Sequence, residues 1–379
     1  MLTALAVAAA CAAGIGIAET LAGLMVLFRF RVRAHWAAPR RLPTLTVLKP
    51  LHGAEPLLEE ALASFCAQDY PGLQLVFGVS SDRDPAIAVV RRLRARFPSV
   101  AIKLVIDSRQ HGINLKVSSL INMLPAATGE LLVISDSDIH APPGHLRQVA
   151  ACLADPAVGL VTSLYSGLPA HAGWVGRLGA AQITHAFLPG ALLGRILGRQ
   201  DCLGATMAMR RETLDRIGGL RPLVSHVADD ALLGRLVVRQ GLRIALANTV
   251  PATTVAEHRL PDLWLHELRW ARTIRALAPI GLPLSALQYP VGWALLALLA
   301  SGGADWTALL LAGAWGARAV AARGIDRTLG VTPLGVAWLL PLRDTLSLAV
   351  ILASYAGRNV RWRGAAMQVV PPDLVHGEG

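Results

Sequence analysis

The stretch LLVISDSDIH at residues 131–140 is an apolar run that ends abruptly in two carboxylates, Asp136 and Asp138. Residues Leu132–Ser135 predict a fully buried β-strand. In an open α/β sheet, ligands bind at the carboxyl ends of the strands, so these acids stand where a divalent cation could be held. Carboxylate oxygens suit Mg²⁺ or Mn²⁺, ions that usually take nucleotide phosphates as further ligands. Taken alone, the acid pair fits a metal site and a simple turn equally well.

The composition is too apolar for a chain that is soluble throughout. Of the 379 residues, 54% are hydrophobic and 16% are charged, whereas an ordinary soluble domain carries about 25% charged residues. Part of the chain is therefore expected to lie in lipid, in line with a mean hydropathy of +0.48. The net charge of +11 comes mainly from arginines, many of them beside apolar segments. This pattern favours a membrane surface or a phosphate-bearing substrate over nucleic acid.

Residues 1–30 predict an N-terminal transmembrane anchor. The segment is long enough to cross a bilayer core of about 30 Å and is interrupted only by Glu19. It lacks a basic leader and a clear cleavage site, so we expect an uncleaved anchor. By the positive-inside rule, the arginines that follow put the amino terminus outside and the next segment in the cytoplasm. These residues are Arg29, Arg31, Arg33, Arg40 and Arg41.

Residues 42–261 predict a globular α/β domain, because short apolar strands alternate with helical patterns. This alternation indicates a mostly parallel sheet with right-handed crossovers. Acidic residues recur at strand ends and helix starts, namely Asp82 and Asp84, Asp136 and Asp138, and Asp229 and Asp230. Residues Trp174–Leu197 are apolar with arginines at their borders and predict an amphipathic, membrane-facing helix.

Membrane character returns after residue 261. Residues 262–280 predict an interfacial amphipathic helix, and 281–357 predict C-terminal transmembrane segments, followed by a tail at 358–379. The apolar runs are Leu282–Ala300, Trp306–Ala322 and Pro333–Tyr355.

The last hydrophobic segment carries two charged residues, Arg343 and Asp344. An ionisable pair at membrane depth is costly, so it is either functional or a self-satisfied pair facing neighbouring helices. Counting spans puts the carboxyl terminus outside, whereas Arg358, Arg361 and Arg363 favour the inside. A broken or re-entrant last segment would reconcile the two.

Several short motifs occur in a fixed order along the chain. They are TVLKPLHG at 46–53, QDYPG at 68–72, DPAI at 84–87, HGINLK at 111–116, SDSDI at 135–139, GGL at 218–220, ADD at 228–230 and LRW at 268–270. In this order they resemble membrane glycosyltransferases that carry the signature D, D, D, (Q/R)xxRW on a GT-A fold. The resemblance is greatest to the ceramide glucosyltransferase family and covers residues 44–275.

Within that family, the length and layout are similar to a bacterial branch that modifies bacteriohopanetetrol in hopanoid biosynthesis. The resemblance implies a GT-A domain with flanking transmembrane helices in a bacterial inner membrane, with the catalytic domain cytoplasmic. It implies transfer of a sugar, with N-acetylglucosamine favoured, from a UDP-sugar to a lipid hydroxyl. Glucosylation of ceramide or diacylglycerol is the alternative in the same class. A small membrane transporter with a cytosolic domain is the alternative of a different class.

The resemblance also assigns roles to the acids. Asp82 or Asp84 would bind the nucleotide, and the alternative for either is a solvated turn. Asp136 and Asp138 would hold Mg²⁺ or Mn²⁺ against the diphosphate. Asp230 would take the proton from the lipid hydroxyl. Its neighbour Asp229 would serve the acceptor or act as a helix N-cap, the commoner role of an Asp at such a position.

The remaining candidates are basic and aromatic. Arg269 would neutralise the leaving diphosphate and Trp270 would line the acceptor site, although an interfacial anchor is an alternative for Trp270. The chain departs from the signature at His266, which stands where Gln or Arg is usual and would then donate the same hydrogen bond. Lys116 could reach the donor phosphates or lie on the surface.

Overall fold

The structure of the protein is a computed structural model that describes residues 2–33, 36, 41–357, 359–362 and 365–368. Arg40, Arg358, Arg363 and the tail from residue 369, which entered the topology prediction, lie outside this part of the chain. The chain divides into two compact units. The sheet unit comprises Ala34–Ala170 and Gly198–Ala256, and the helical unit comprises Met1–Arg33, His171–Leu197 and Glu257–Gly379.

A seven-stranded, mostly parallel sheet forms the centre of the sheet unit, with the order β3-β2-β1-β4-β8-β6-β9. Strand β8 alone runs antiparallel to its neighbours, β4 and β6. A smaller sheet pairs β5, β10 and β7. The strands are β1 Leu45–Pro50, β2 Leu73–Val79, β3 Ala101–Ile106, β4 Leu131–Ile134, β5 Ile139–His140, β6 Val158–Ser163, β7 Ser166–Pro169, β8 Met207–Arg210, β9 Arg243–Ala247 and β10 Ala252–Val255.

Helices cover both faces of this sheet and bury its apolar side chains in two clusters. They are α2 Leu58–Cys66, α3 Ala86–Arg96, α4 Leu115–Met123, α5 His145–Leu153, α8 Arg211–Arg216 and α9 Asp229–Arg239. The strand predicted at Leu132–Ser135 is found one residue earlier as β4, with all four residues buried. A strand buried on both faces has a continuous apolar pattern, which is why the sequence marked it clearly.

The helical unit contains α1, a long break-free helix, and a series of helices from both later parts of the chain. They are α1 Leu2–Arg33, α6 Trp174–Gln182, α7 Leu188–Ile196, α10 Leu260–Leu277, α11 Gly281–Ser285, α12 Pro290–Ala300, α13 Asp305–Leu329 and α14 Leu340–Ser354. Two short strands, β11 Asn359–Trp362 and β12 Ala365–Gln368, form an antiparallel pair.

The segment predicted as a membrane-facing amphipathic helix at Trp174–Leu197 differs in the structure. It consists of α6, a π-helical turn at Ile183–Phe187 and α7. Most of its residues between 175 and 192 are buried or half-buried, including His185 and Thr184. The prediction of a lipid-facing helix is therefore wrong, since apolar periodicity does not distinguish a lipid from a protein neighbour.

Three helices of the described chain are long and apolar enough to cross a membrane: Leu2–Val32, Asp305–Leu329 and Ala337–Ser354. The pair Gly281–Gln288 and Pro290–Ala300 is bent by 77° and adds a fourth span if it counts as one. In the 18-residue apolar stretch of each helix, half of the residues are buried within the protein in Ala337–Ser354, against 22% in Leu2–Val32 and 28% in Asp305–Leu329.

Contacts inside the helical unit give the directions of these helices. Ala13 and Ala314 share one apolar cluster, and a Cβ on Gly324 would lie 2.9 Å from Leu24. Residue 13 of α1 thus lies near residue 314 of α13, and residue 24 lies near residue 324, so the two helices run in the same direction.

A second contact relates α10 to α14. Arg275, near the carboxyl end of α10, donates a 2.7 Å hydrogen bond to the carbonyl of Gly357, just after α14. The ends of α10 and α14 thus lie side by side.

Candidate active site

Asp136 and Asp138 lie at the switch point of the seven-stranded sheet. Strands β2 and β3 extend the sheet on one side of β1, and β4 extends it on the other. The carboxyl ends of β1 and β4 therefore bound the crevice in which doubly wound folds bind their ligands. Lys49, buried near the end of β1, donates a 2.6 Å hydrogen bond to the carbonyl oxygen of Asp136 and joins the two strand ends.

The small sheet sets the orientation of Asp138. The hydroxyl of Thr253 donates to Asp138 Oδ2 at 2.6 Å, and the backbone N–H of Thr254 donates to the Asp138 carbonyl at 3.0 Å. Both threonines belong to β10, which pairs with β5 directly after the acid. The second acid of the motif is thus held by tertiary pairing rather than by a local turn.

Lys116 links the central acids to the third acidic pair. Its Nζ lies 2.7 Å from Asp136 Oδ1 and 3.3 Å from Asp229 Oδ2. Asn114 caps the start of α4 by accepting from Val117 N, and it donates to the carbonyl of His226. The HGINLK segment is therefore fastened to the segment that precedes Asp229. The N-cap alternative for Asp229 does not apply, because α9 begins at Asp229 and Ala228 holds the cap position.

Gly204 marks the point at which the acid groups converge. A Cβ at this glycine would lie 3.4 Å from both Asp136 Oδ2 and Asp230 Oδ2, and 3.9 Å from Lys116 Nζ. Because β8 is antiparallel, its amino end lies beside the carboxyl end of β4 and brings Gly204 to the same edge. The absent side chain leaves space between the two carboxylates, which permits close approach of a ligand.

Burial and mutual repulsion perturb these acids. Burial, with added repulsion from Asp136, raises the pKa of Asp138 to about 6. Burial, with added repulsion from Asp229, raises the pKa of Asp230 to about 6. Burial alone would lower the pKa of Lys116, but the carboxylates of Asp136 and Asp229 raise it overall, so this ammonium stays charged. The site holds more negative charge than its lysines offset.

This surplus charge fits a divalent cation. Asp136 and Asp138 supply hard oxygen ligands at the edge where β4 ends. Among the described residues, no group of three or more His, Cys, Asp or Glu side chains could hold a metal unaided. A cation here would therefore need further oxygens from a ligand, which is how Mg²⁺ is usually bound at phosphate sites.

The first acidic pair follows β2 and its members differ in their contacts. Asp84 is half-buried and accepts hydrogen bonds from Gly53 N and Ala86 N at 3.1 and 2.9 Å. Asp82 is exposed. Asp84 therefore fastens the loop after β1 to the start of α3, which is the structural turn role predicted as its alternative. Asp82 is more accessible to a ligand than Asp84.

Helix α10 carries the basic and aromatic candidates. The His266 ring packs edge-on against Trp270, with ring centroids 4.5 Å apart. Its Nδ1 is in hydrogen-bond contact with Glu257 Oε1. Arg269 and Trp270 are half-buried. Glu257, in the loop before α10, was not predicted from the sequence.

Arg343 and Asp344 do not pair with each other, which corrects one of the two predicted readings. Arg343 makes a bidentate ion pair with Glu267 of α10, at 2.8 and 2.6 Å. Asp344 Oδ1 accepts from Arg318 of α13 at 3.0 Å. Both side chains are almost fully buried. The two charges are satisfied by partners on neighbouring helices and not by each other.

Sequence reasoning missed several residues at the acid site. Burial, with added repulsion from Asp230, Asp136 and Asp138, raises the pKa of Tyr165, so its hydroxyl is within electrostatic range of these acids. Lys49, which joins the ends of β1 and β4, was not predicted as a site residue. Tyr165 directly follows the apolar strand β6, so the rule that ligands bind at carboxyl ends of strands could have found it.

One cavity of the sheet unit lies away from these acids. Its volume is about 620 Å³, and its lining includes Arg41, Glu130 and Arg211, beside the amino end of β4. Strand ends of this polarity do not bind ligands in doubly wound folds. We therefore assign the chemistry to the opposite edge, where the acids converge.

Comparison with known proteins agrees with this site. The family model for glycosyl transferase family 21 matches residues 4–374, nearly the whole chain. The chain belongs to glycosyl transferase family 21. The predicted enzyme class, a glycosyltransferase, is confirmed at the level of the family, and the transporter alternative is set aside.

Curated relatives of this family 21 chain carry two kinds of name. Ceramide glucosyltransferase 1 of Caenorhabditis elegans is 27% identical over 65% of this chain and 53% of its own length. The chain thus spans about half the length of that relative. An N-acetylglucosaminyltransferase of Rhizobium meliloti is 26% identical over 87% of this chain and 85% of its own length.

Among solved structures, a mannosyltransferase from Pyrobaculum calidifontis in complex with GDP-Man and Mn²⁺ is similar with a TM-score of 0.52. The match is 21% identical and covers 94% of this chain and 99% of that chain. The predicted GT-A fold is confirmed.

Proposed function

We propose that this family 21 protein is a membrane-bound, metal-dependent, inverting glycosyltransferase. It transfers a sugar, N-acetylglucosamine, from a UDP-sugar to a hydroxyl of a membrane lipid, bacteriohopanetetrol. One observation carries the proposal: Asp136, Asp230 and Lys116 converge on the side-chain-free position at Gly204. Near-full-length similarity to an N-acetylglucosaminyltransferase supports the choice of sugar.

In this proposal, acidic and basic side chains each bind one part of the sugar-nucleotide donor. Asp136 and Asp138 would hold Mg²⁺ or Mn²⁺, which would offset the charge of the leaving diphosphate. Lys116, charged and already beside Asp136, adds a second positive charge for the phosphates. Asp82 or Asp84 binds the nucleotide. Arg269 also serves the diphosphate.

Asp230 is the general base. The lipid hydroxyl attacks C1 of the sugar, the bond from C1 to the diphosphate oxygen breaks with its electron pair leaving on UDP, and the hydroxyl proton passes to Asp230. A raised pKa of about 6 brings this carboxylate closer to the operating pH than an ordinary Asp, which favours proton transfer. Asp229, Trp270 and His266 bind the acceptor.

The helix directions support a membrane topology with the catalytic domain and the carboxyl terminus both in the cytoplasm. Because α1 and α13 run in the same direction, the chain must return across the membrane between them, and the bent pair α11–α12 is the segment available. Helix α14 ends beside α10, where the bent pair begins. The last hydrophobic segment is then re-entrant, which its high internal burial and its buried charges also favour.

The decisive test is incubation of the purified protein with labelled UDP-N-acetylglucosamine or UDP-glucose and each candidate lipid. We expect transfer to bacteriohopanetetrol, loss of transfer in EDTA, and recovery with Mn²⁺ or Mg²⁺. Glucose transfer to ceramide or diacylglycerol would instead support the alternative that the ceramide glucosyltransferase relatives suggest. Transfer that is unaffected by EDTA would contradict the metal assignment.

The topology is tested separately with single cysteines added at Thr3 and Gly379 in a chain whose four native cysteines are replaced. A membrane-impermeant maleimide should label the Thr3→Cys variant in intact bacterial spheroplasts. The Gly379→Cys variant should react only after permeabilisation. Labelling of both in intact cells would show that α14 crosses the membrane.

A further inference from the structure

Glu257 and His266 form a carboxylate–imidazole pair inside the helical unit. Glu257 lies in the loop just before α10, and His266 lies in the second turn of that helix. His266 Nδ1 contacts Glu257 Oε1, and the two side chains are 29% and 16% exposed. Burial alone would raise the pKa of Glu257, but the hydrogen bond and charge of His266 lower it overall, so Glu257 is ionised.

An ionised carboxylate only accepts hydrogen bonds, so His266 Nδ1 must carry the proton in this contact. Nε2 is buried and has no hydrogen-bond partner among the described residues. A buried polar atom without a partner points to a ligand or a water that completes it.

The surroundings of His266 are rigid. Trp270, four residues on, packs against the imidazole and lies on the same face of α10. Glu267, the residue next to His266, is clamped by the buried Arg343. The rotation of α10 is therefore restrained, and the ring of His266 is held from two sides. Such support is expected of a group that must present one atom to a ligand.

We propose that Glu257 and His266 form a dyad that binds a hydroxyl group of the lipid acceptor through His266 Nε2, with Glu257 as the positioning residue. This inference rests on the proposed function. A hydroxyl can both donate and accept a hydrogen bond, so it can complete the unpartnered Nε2 in either role. Leu265 and Ile274 on the same helix are 63% and 42% exposed, which suits a helix that receives a lipid rather than a nucleotide.

The proposal explains the departure from the (Q/R)xxRW signature. A glutamine at position 266 can accept through its amide oxygen or donate through its nitrogen, so it serves donors and acceptors alike. His266, with Nδ1 held by Glu257, instead offers a single ring nitrogen, Nε2. The dyad therefore suits one hydroxyl of the acceptor headgroup.

The kinetic test uses the full chain in detergent, with bacteriohopanetetrol as acceptor and UDP-N-acetylglucosamine as donor. For His266→Ala we expect the acceptor KM to rise roughly 10-fold, the size of one hydrogen bond, with the donor KM unchanged. His266→Gln should recover most of the loss, and Glu257→Ala should raise the acceptor KM as well. His258→Ala, at the exposed neighbour of Glu257, is the matched control. A rise in donor KM alone, or no rescue by His266→Gln, would overturn the proposal.

The second readout is the tautomer of His266, followed by nitrogen NMR of histidine-labelled protein and assigned by its disappearance in His266→Gln. We expect the Nδ1–H tautomer in the wild type and its loss in Glu257→Ala. An Nε2–H tautomer in the wild type would refute the dyad. This measurement does not depend on activity, so a wild type that transfers no sugar to any lipid refutes the proposed function while the tautomer still tests the dyad.

Discussion

Each unit of the protein buries a group of charges, and the two groups are built differently. In the sheet unit the acids Asp136, Asp138, Asp229 and Asp230 are offset incompletely by lysines, and two of them have raised pKa values. In the helical unit the charges stand in one-to-one pairs, Glu267 with Arg343 and Asp344 with Arg318. The first arrangement requires a cation or a proton to become balanced, and the second is already balanced.

This difference indicates which buried charges serve activity and which serve stability. A surplus of buried charge costs free energy in the folded protein and persists when it serves a site. A matched buried pair is destabilising only when one partner is removed, because the other is then left as an uncompensated charge. We therefore expect substitutions in the sheet unit to change activity and substitutions in the helical pairs to change stability.

The largest expected effect on activity is that of Asp230→Asn. Loss of a general base should lower kcat by about 10²- to 10⁴-fold. The melting temperature should stay the same or rise, because an acid whose pKa is raised by folding destabilises the fold once it is ionised. Transfer of labelled sugar and thermal unfolding in detergent measure the two.

Asp215→Asn, at an exposed acid of the same unit, is the control and should leave both properties unchanged. An Asp230→Asn protein that unfolds at a lower temperature would contradict the distinction between the two charge groups.

The largest expected effect on stability is that of Arg343→Met. Removing it leaves the Glu267 carboxylate buried and unpaired, at a cost of roughly 3–5 kcal/mol. The double variant Arg343→Met/Glu267→Gln should lose much less, since neither charge remains. Thermal unfolding of both variants in detergent, beside Arg323→Met at an exposed arginine of α13, measures the coupling. Equal losses in the single and double variants would show that packing, not charge, explains the effect.

Gly204→Ala should lower kcat/KM by about 10²-fold, because a methyl group between two carboxylates displaces a ligand by about 1 Å. Its Cβ would make only ordinary contacts at 3.4 Å, so thermal stability should hardly change. Gly173→Ala, where a Cβ meets nothing within 4 Å, is the control. Unchanged kcat/KM for Gly204→Ala would place the reacting groups elsewhere.

The smallest effect is a shift of the pH profile. The wild-type kcat/KM should fall below about pH 6, as Asp230 and Asp138 take up protons, with both titrating together. Lys116 lowers the pKa of Asp230, so Lys116→Met should move this acid limb to higher pH. A limb that moves to lower pH, or not at all, would show that Lys116 does not act on the base.

Local patterns in the sequence identified much of this protein. The apolar run before Asp136 predicted β4 within one residue, because a strand buried on both faces needs continuous apolar side chains. Helical periodicity likewise predicted α10, and an apolar run predicted α13. The order of short motifs indicated the family, and the family match confirmed it. Patterns of this kind depend only on residues that are close in the sequence, so they can be recognised without knowledge of distant contacts.

Other features depend on residues far apart in the chain. The antiparallel strand β8 brings Gly204 to Asp136, and β10 fixes Asp138 through Thr253. The partners of Arg343 and Asp344 lie on α10 and α13, and Glu257 meets His266 only once the loop and the helix have folded. Hydrogen bonds and ion pairs act over a few ångströms of space, whereas sequence spacing is informative only within one helix or strand. The residue types of the site were therefore determined by the sequence, and their pairing was decided by the tertiary structure.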